Sequence, residues 1–261
     1  MAAVGRGFAR NFHHRGELHM KKVLGCLRRA CEEFDMIKNG DRIAVGVSGG
    51  KDSILLLYAL TLYRRYMKLD YELLGVTVDL GFEGFDTAPI RDFLQSIGVS
   101  YHVEKTDIAQ VVFDIRKEPN PCSLCAKMRK GAFYEAAARL GCNKAAFAHN
   151  QEDLLETLLM SMIYEGKLGV FSPVTYMSRA DITLIRPFIY LPEKEIISQV
   201  HALNLPVVKN PCPVDGITKR KDARELLNHL LTYNPKAKES MLAAIRNTGN
   251  YHLWDKLPSG R

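Results

Sequence analysis

Six consecutive residues, Ser48-Gly49-Gly50-Lys51-Asp52-Ser53, constrain this chain more than any other stretch. They follow a β-branched run over residues 42–47 and lead directly into an apolar stretch with helical patterning to about residue 65. A strand must therefore turn at the two glycines and enter a helix. Glycine lets backbone N–H groups approach an anion with no Cβ in the way, and the following helix presents its positive end. Ser48 and Ser53 add hydroxyl donors and Lys51 adds a point charge, so the segment suits a phosphate. It is not the Walker pattern, which has a longer loop before Gly-Lys-Ser/Thr. A turn whose glycines serve only packing is the plainer alternative. Six phosphate-compatible residues in a row after a hydrophobic strand weigh against it.

The pattern repeats downstream. Strand candidates cover residues 72–80, which include Asp79, then 99–103, 144–149 and 182–186; helical patterns cover 87–97 and 152–164. Strands alternating with helices predict an α/β fold with a parallel sheet covered on both faces. Such sheets bind ligands at the carboxyl ends of their strands, where Ser48, Asp79 and His149 fall. Beyond Pro192 the chain reads as mainly helical, over residues 194–203, 221–232 and 235–247, with weak punctuation at Asn210-Pro211 and Pro213. The longest apolar run, residues 54–63, is half of the ~20 residues a bilayer requires, so no membrane span is expected.

Residues 1–16 contain Arg6, Arg10 and Arg15 and no acid. This faintly suggests a transit peptide, while a disordered leader or expression remnant over residues 1–19 is the plainer reading. The 36 Lys+Arg and 29 Asp+Glu give a net charge of +7, compatible with a polyanionic partner without requiring one.

Six cysteines in 261 residues are too few and too unevenly spread for a disulfide scaffold, which makes a reducing cytoplasm the default compartment. Cys122 and Cys125 have the two-residue spacer that lets two thiolates converge, ahead of a helix expected to begin near Lys127. A third candidate is Cys212, between Pro211 and Pro213. Three thiolates suit an iron–sulfur cluster with one iron left open better than a structural zinc closed by four ligands. A redox pair, a zinc site completed by His201 or His229, and small buried thiols stay open as alternatives. Cys26, Cys31 and Cys142 are read as buried apolar side chains. Lys127, Arg129 and Lys130 form one basic cluster, and Lys219, Arg220, Lys221 and Arg224 a second. Both are candidates for a nucleic-acid backbone, with solvated helix faces as the alternative.

The hexapeptide resembles the Ser-Gly-Gly-x-Asp-Ser loop of the PP-loop ATP pyrophosphatases, which split ATP into AMP and pyrophosphate while adenylating a substrate. The segment Ala148-His149-Asn150-Gln151-Glu152-Asp153 resembles their Gly-His-x-x-Asp-Asp segment, with Ala148 for Gly and Glu152 for the first Asp. Together with Cys122, Cys125, Cys212 and Arg186-Pro187-Phe188, the chain from about residue 21 to 247 resembles the tRNA 2-thiocytidine synthetases. Relatives that thiolate uridines carry Cys-rich zinc fingers at both ends, which this sequence lacks.

The resemblance implies a Rossmann-like PP-loop domain over residues 20–190, carrying the cysteine pair, and a helical extension over 191–261 carrying the third cysteine. It implies ATP with magnesium on Val47, Ser48, Gly49, Gly50, Lys51, Asp52, Ser53, Asp79 and His149. Lys51, Asp52 and Asp153 would act in catalysis, and Cys122, Cys125 and Cys212 would hold a 4Fe-4S cluster. The implied partners are tRNA, thiolated at a cytidine of the anticodon loop, and a sulfur donor such as a cysteine desulfurase; the implied assembly is a homodimer in the cytoplasm. Two other functions fit the same residues: an adenylating tRNA ligase with structural cysteines, and an ATP-binding, metal-containing sulfur-handling or regulatory protein that does not act on RNA.

Overall fold

A six-stranded sheet organises the larger part of the molecule, ordered β3-β2-β1-β4-β6-β5. The computed structural model describes residues 20–117, 121–208, 211–212, 219–247 and 249. Its strands are β1 (Arg42–Gly46), β2 (Glu72–Asp79), β3 (Ser100–Lys105), β4 (Lys144–Ala146), β5 (Val174–Met177) and β6 (Ile182–Ile185). Its helices are α1 (Lys21–Glu33), α2 (Lys51–Met67), α3 (Ala88–Ser96), α4 (Pro121–Arg139), α5 (Gln151–Glu165), α6 (Glu193–Ala202), α7 (Lys219–Tyr233) and α8 (Ala237–Arg246), with a π-helical turn at Gln110–Ile115. All neighbouring strands run parallel except β5, which pairs antiparallel with β6. The expected parallel α/β class is what forms. The strand β5 was not anticipated, because Val174–Met177 is short and its residues are only partly buried.

Parallel strands buried on both faces need continuous apolar sequence. β1 and β2 supply it, and α2 is buried continuously from Ser53 to Tyr63, as a helix that is apolar all round must be. On one face α4 lays Phe133, Tyr134, Ala136 and Ala137 against Ala44, Leu74, Val76, Ala145 and Leu184. Gly75 sits inside β2 because an added Cβ there would lie 2.3 Å from Leu94 Cδ2 of α3.

The chain leaves β1 toward β2 on one side of the sheet and enters β4 on the other. This reversal puts a crevice at the carboxyl ends of β1 and β4, the place where open α/β sheets bind ligands.

The chain divides into two compact units, residues 1–154 with 171–217 and residues 155–170 with 218–261. This division does not follow the expected boundary at residue 190. Most of α5 joins α7 and α8 in the smaller unit, where Leu155, Leu159, Ala223 and Leu227 are buried together, and Cys212 belongs to the larger unit. Among the described residues no helix is long and apolar enough to cross a membrane.

Candidate active site

The turn after β1 is built from its own side chains. Ser53 Oγ accepts the Ser48 N–H at 3.2 Å and donates to the Gly50 carbonyl at 2.9 Å, and Ser48 Oγ accepts the Gly50 N–H at 3.3 Å. Gly49 has φ +84°, and a Cβ there would sit 3.1 Å from Val208 Cβ and 3.3 Å from the Val208 carbonyl oxygen. Both the left-handed backbone and the close approach demand glycine. The Gly49 carbonyl accepts the Val208 N–H at 2.9 Å, which ties the loop to the segment leading to Cys212. Helix α2 starts at Lys51, so the N–H groups of its first turn lack acceptors inside the helix and face the end of the loop.

A cavity of about 590 Å³ opens at this rim. Val47, Ser48, Gly50, Asp52, Ser53, Asp79, His149 and Asp153 line it, with Val76, Val78, Phe133 and Phe147 as apolar wall and Arg129, Lys130, Val208 and Pro211 at its edge. That is a ligand-sized volume. Eight expected residues therefore meet around one space. Gly49 and Lys51 stand beside it without lining it.

Lys51 departs from expectation. Its ammonium does not face the cavity but lies between Asp52 Oδ2 at 2.9 Å and Glu193 Oε1 at 2.8 Å. Burial alone pulls its pKa down, yet Glu193 and Asp52 outweigh burial and hold it above the ordinary lysine value. From Asp52 the network continues through Asn150, whose amide donates to Asp52 Oδ1 at 3.1 Å. Asn150 Oδ1 accepts the Asp153 N–H at 3.1 Å, and Asp153 Oδ2 accepts the Asn150 N–H at 3.0 Å. This is a capping box at the start of α5, with aspartate in the position usually held by glutamate. Glu152 closes the circuit by accepting the Glu193 N–H at 2.7 Å. Glu152 is thus a cap for α6, while Asp52 and Asp153 face the cavity.

Asn150 and Glu193 were missed in the sequence. The Asn-x-x-Asp spacing was a legible signal for the first. Nothing local marks the second, which meets Lys51 across 142 positions. Thr77 was also missed; its buried hydroxyl donates to the Val47 carbonyl at 2.6 Å and accepts from Tyr101 at 2.8 Å, bracing the strand end beneath the loop.

The helix carrying the cysteine pair begins at Pro121, not near Lys127, so Cys122 and Cys125 are three apart within its first turns and share a face. Cys125 packs beside Leu80, Ile108 and Val112. Burial pushes its thiol pKa up, Arg129 pulls it back, and Cys212 and Cys122 both act on it electrostatically. All three cysteines are half-buried thiols outside any disulfide, Cys122 and Cys212 both lie within electrostatic reach of Cys125, and their chain neighbours Arg129 and Pro211 line the cavity. Among the described residues no three His, Cys, Asp or Glu side chains are close enough to share a single metal ion. Each cysteine ligand of a cubane cluster takes a different iron, so cluster ligands stand wider apart than ligands of one ion. Three thiols are a donor set that suits an iron–sulfur cluster. Cys31 and Cys142 are buried as expected, and burial pushes Cys31 up to about 12, but Cys26 is only half-buried.

The second basic cluster is largely engaged within the smaller unit. Arg220 and Arg224 reach the fully buried Glu156 carboxylate at 3.2 and 2.8 Å, and the Lys219 ammonium lies 4.5 Å from the Tyr164 ring centroid.

Comparison with known proteins agrees with this geometry. A family model described as a PP-loop domain matches residues 22–230. A tRNA-cytidine(32) 2-sulfurtransferase of Citrifermentans bemidjiense is 41% identical over 232 residues, covering 87% of this chain and 91% of that protein. The enzyme of the same name from Geobacter sulfurreducens is 38% identical over 241 residues, covering 91% and 94%. Among solved structures, the U34-tRNA thiolase NcsA from Methanococcus maripaludis, with its [4Fe-4S] cluster, superposes with a TM-score of 0.74 at 24% identity, covering 93% of this chain and 82% of that one. At that identity the likeness bears on the fold.

Proposed function

Because the chain belongs to the PP-loop family of the tRNA-cytidine(32) 2-sulfurtransferases, we propose that it uses ATP to replace the C2 oxygen of cytidine 32 in tRNA with sulfur. The observation that carries this reading is the meeting of the glycine loop, Asp52 and Asp153 around one cavity, whose lining includes Arg129 and Pro211, chain neighbours of the cysteines.

The triphosphate lies on the loop, where the first-turn N–H groups of α2 and the Ser48 and Ser53 hydroxyls meet its charge. Asp52 and Asp153, the carboxylates that line the cavity beside the loop, would hold magnesium, which would offset the phosphate charge. Val47, Val76 and Asp79 form the wall for the adenosine. Lys51 acts through Asp52 and Glu193, fixing the Asp52 carboxylate at the edge of the cavity.

The cytosine O2 attacks the α-phosphorus and the bond to pyrophosphate breaks, leaving an adenylated base. Sulfide, as hydrosulfide, then attacks C2, the C2–O bond breaks, AMP departs and the sulfur's proton passes to water. When bound by Cys122, Cys125 and Cys212, a 4Fe-4S cluster supplies an iron without a protein ligand, a position open to sulfur. A donor such as a cysteine desulfurase, a homodimeric state and a cytoplasmic setting complete the reading at the level of the family.

The test is anaerobic purification followed by incubation with unmodified tRNA, ATP, magnesium and sulfide. Nuclease digestion should release 2-thiocytidine, with AMP and pyrophosphate formed one for one. Iron should approach about four per chain and be lost in Cys212→Ala. RNA-dependent pyrophosphate release from ATP with no thionucleoside formed, from a chain holding zinc or no metal, would overturn the reading in favour of an adenylating ligase.

A further inference from the structure

A second cavity, of about 330 Å³, adjoins the first and shares Lys130, Phe147 and His149 with it. Its remaining wall includes Lys127 and Tyr134 from α4, Thr175 from β5 and Arg186 just past β6. Arg186 is the unusual group. It is 8% exposed, and its guanidinium donates from one nitrogen to the Ser172 carbonyl and to Thr175 Oγ1. It lies 4.9 Å from the Phe171 ring centroid, and its Nε is buried with no acceptor among the described residues. No described carboxylate pairs with it. The only charge coupling it shows is to Tyr134, whose pKa burial raises and Arg186 pulls back.

A buried guanidinium that serves structure alone is normally matched by a carboxylate, because an uncompensated buried charge is costly. Glu156 with Arg220 and Arg224, and Asp41 with Lys144, show buried charges of this chain matched by opposite ones. Here three cations, Lys127, Lys130 and Arg186, line one cavity that no acidic residue lines. The buried, carboxylate-free Arg186 calls for a ligand that brings negative charge and acceptor atoms. The Phe147, His149 and Tyr134 rings give it flat apolar surface, which suits a ring. A nucleotide unit of a single-stranded RNA loop has both, and loop bases are commonly splayed out onto such platforms.

We infer that this second cavity is the acceptor-nucleotide pocket, with a phosphate of the RNA strand on Lys127 and Lys130 and the pyrimidine against Phe147 and Tyr134. Arg186 meets the acceptor edge of the ring. Because the two cavities share Lys130, Phe147 and His149, a base held here neighbours the cavity assigned to ATP. The inference rests on the sulfurtransferase reading, and adds to it the residues that hold the base.

The probe is an anticodon stem-loop RNA carrying cytidine 32, titrated by fluorescence anisotropy at several salt concentrations, with a non-hydrolysable ATP analogue titrated separately by calorimetry. Arg186→Met should weaken stem-loop binding about tenfold or more while ATP-analogue affinity stays within about twofold. Arg186→Lys should recover part of the loss. Lys127→Ala, at an exposed helix position that folding tolerates, should weaken the stem-loop and lower the salt slope by about one. Equal losses for RNA and ATP analogue would assign the cavity to the nucleotide phosphates and overturn the inference. So would wild-type stem-loop affinity in Arg186→Met, or in Lys127→Ala if the first variant does not fold. A wild-type chain that binds the ATP analogue but no stem-loop would instead overturn the RNA reading beneath it.

Discussion

At the scale of single residues, buried charge decides which positions tolerate change and how stability responds to acid. Asp41 is 6% exposed and meets Lys144 Nζ at 2.9 Å, the Lys38 N–H at 2.6 Å and the Asn143 amide at 2.9 Å. Burial pushes its pKa up, but Lys144, Lys38 and Asn143 together outweigh burial and hold it below the ordinary value of 3.8. A carboxyl depressed in the folded state contributes stability that is complete above its unfolded pKa and is lost as pH falls through the folded one. Chemical denaturation at a series of pH values should therefore show stability falling below about pH 4. In Asp41→Asn that part of the acid slope should vanish, and neutral stability should drop by about 3 kcal/mol because Lys144 keeps a buried charge without its partner. An unchanged acid slope in the variant would remove Asp41 from the account. The same scale shows why Lys51 misled. Glycine, serine and lysine after a strand announce a phosphate loop because their chemistry is local. Where the lysine side chain points depends on Glu193, which lies 142 positions away in the sequence.

Elements were more legible than side-chain directions. A strand or helix is set by periodicity over many residues, whereas its ends are set by one or two. The strands that carry the site all stood out as apolar runs; β5 escaped because an edge strand of four residues, three partly buried and one exposed, has little periodicity to show. The start of α4 was misread by six residues, since a proline opens a helix as readily as it breaks one. The start of α5 has the clearest local logic. Asn150 caps the helix and bridges to Asp52, so one residue fixes an element and aims a carboxylate. Asn150→Ala should cost about 1–2 kcal/mol in thermal or denaturant unfolding and lower ATP-dependent turnover. Asn150→Ser separates the two roles: serine caps well but is too short to reach Asp52. It should recover most of the stability while turnover stays low. Full recovery of both would confine Asn150 to capping.

On the scale of the whole molecule, the chain reads as a nucleotide-binding sheet followed by helices, but its compact units are assembled differently. The smaller unit takes residues 155–170 from the middle of the chain and joins them to residues beyond 218. Its buried polar centre is Glu156, fully buried against Arg220 and Arg224, which are 38% and 47% exposed. Read along the sequence, those two arginines form part of a surface ready for RNA phosphates; in space their first partner is a carboxylate. Arg220→Ala with Arg224→Ala leaves that carboxylate buried without a cation. The loss should be about 3 kcal/mol, the low end for a buried pair, because half-exposed guanidinium groups are screened by water. Hydrogen exchange should localise it, with faster exchange in peptides from 155–170 and 219–246 and unchanged protection in β1 and β2. Adding Glu156→Met to the double variant removes the stranded charge and should restore slow exchange. The triple variant also separates structure from recognition. If the arginines serve only Glu156, its affinity for tRNA returns to that of the wild type along with its protection. If they also contact phosphates, protection returns and affinity stays low, with a shallower salt dependence.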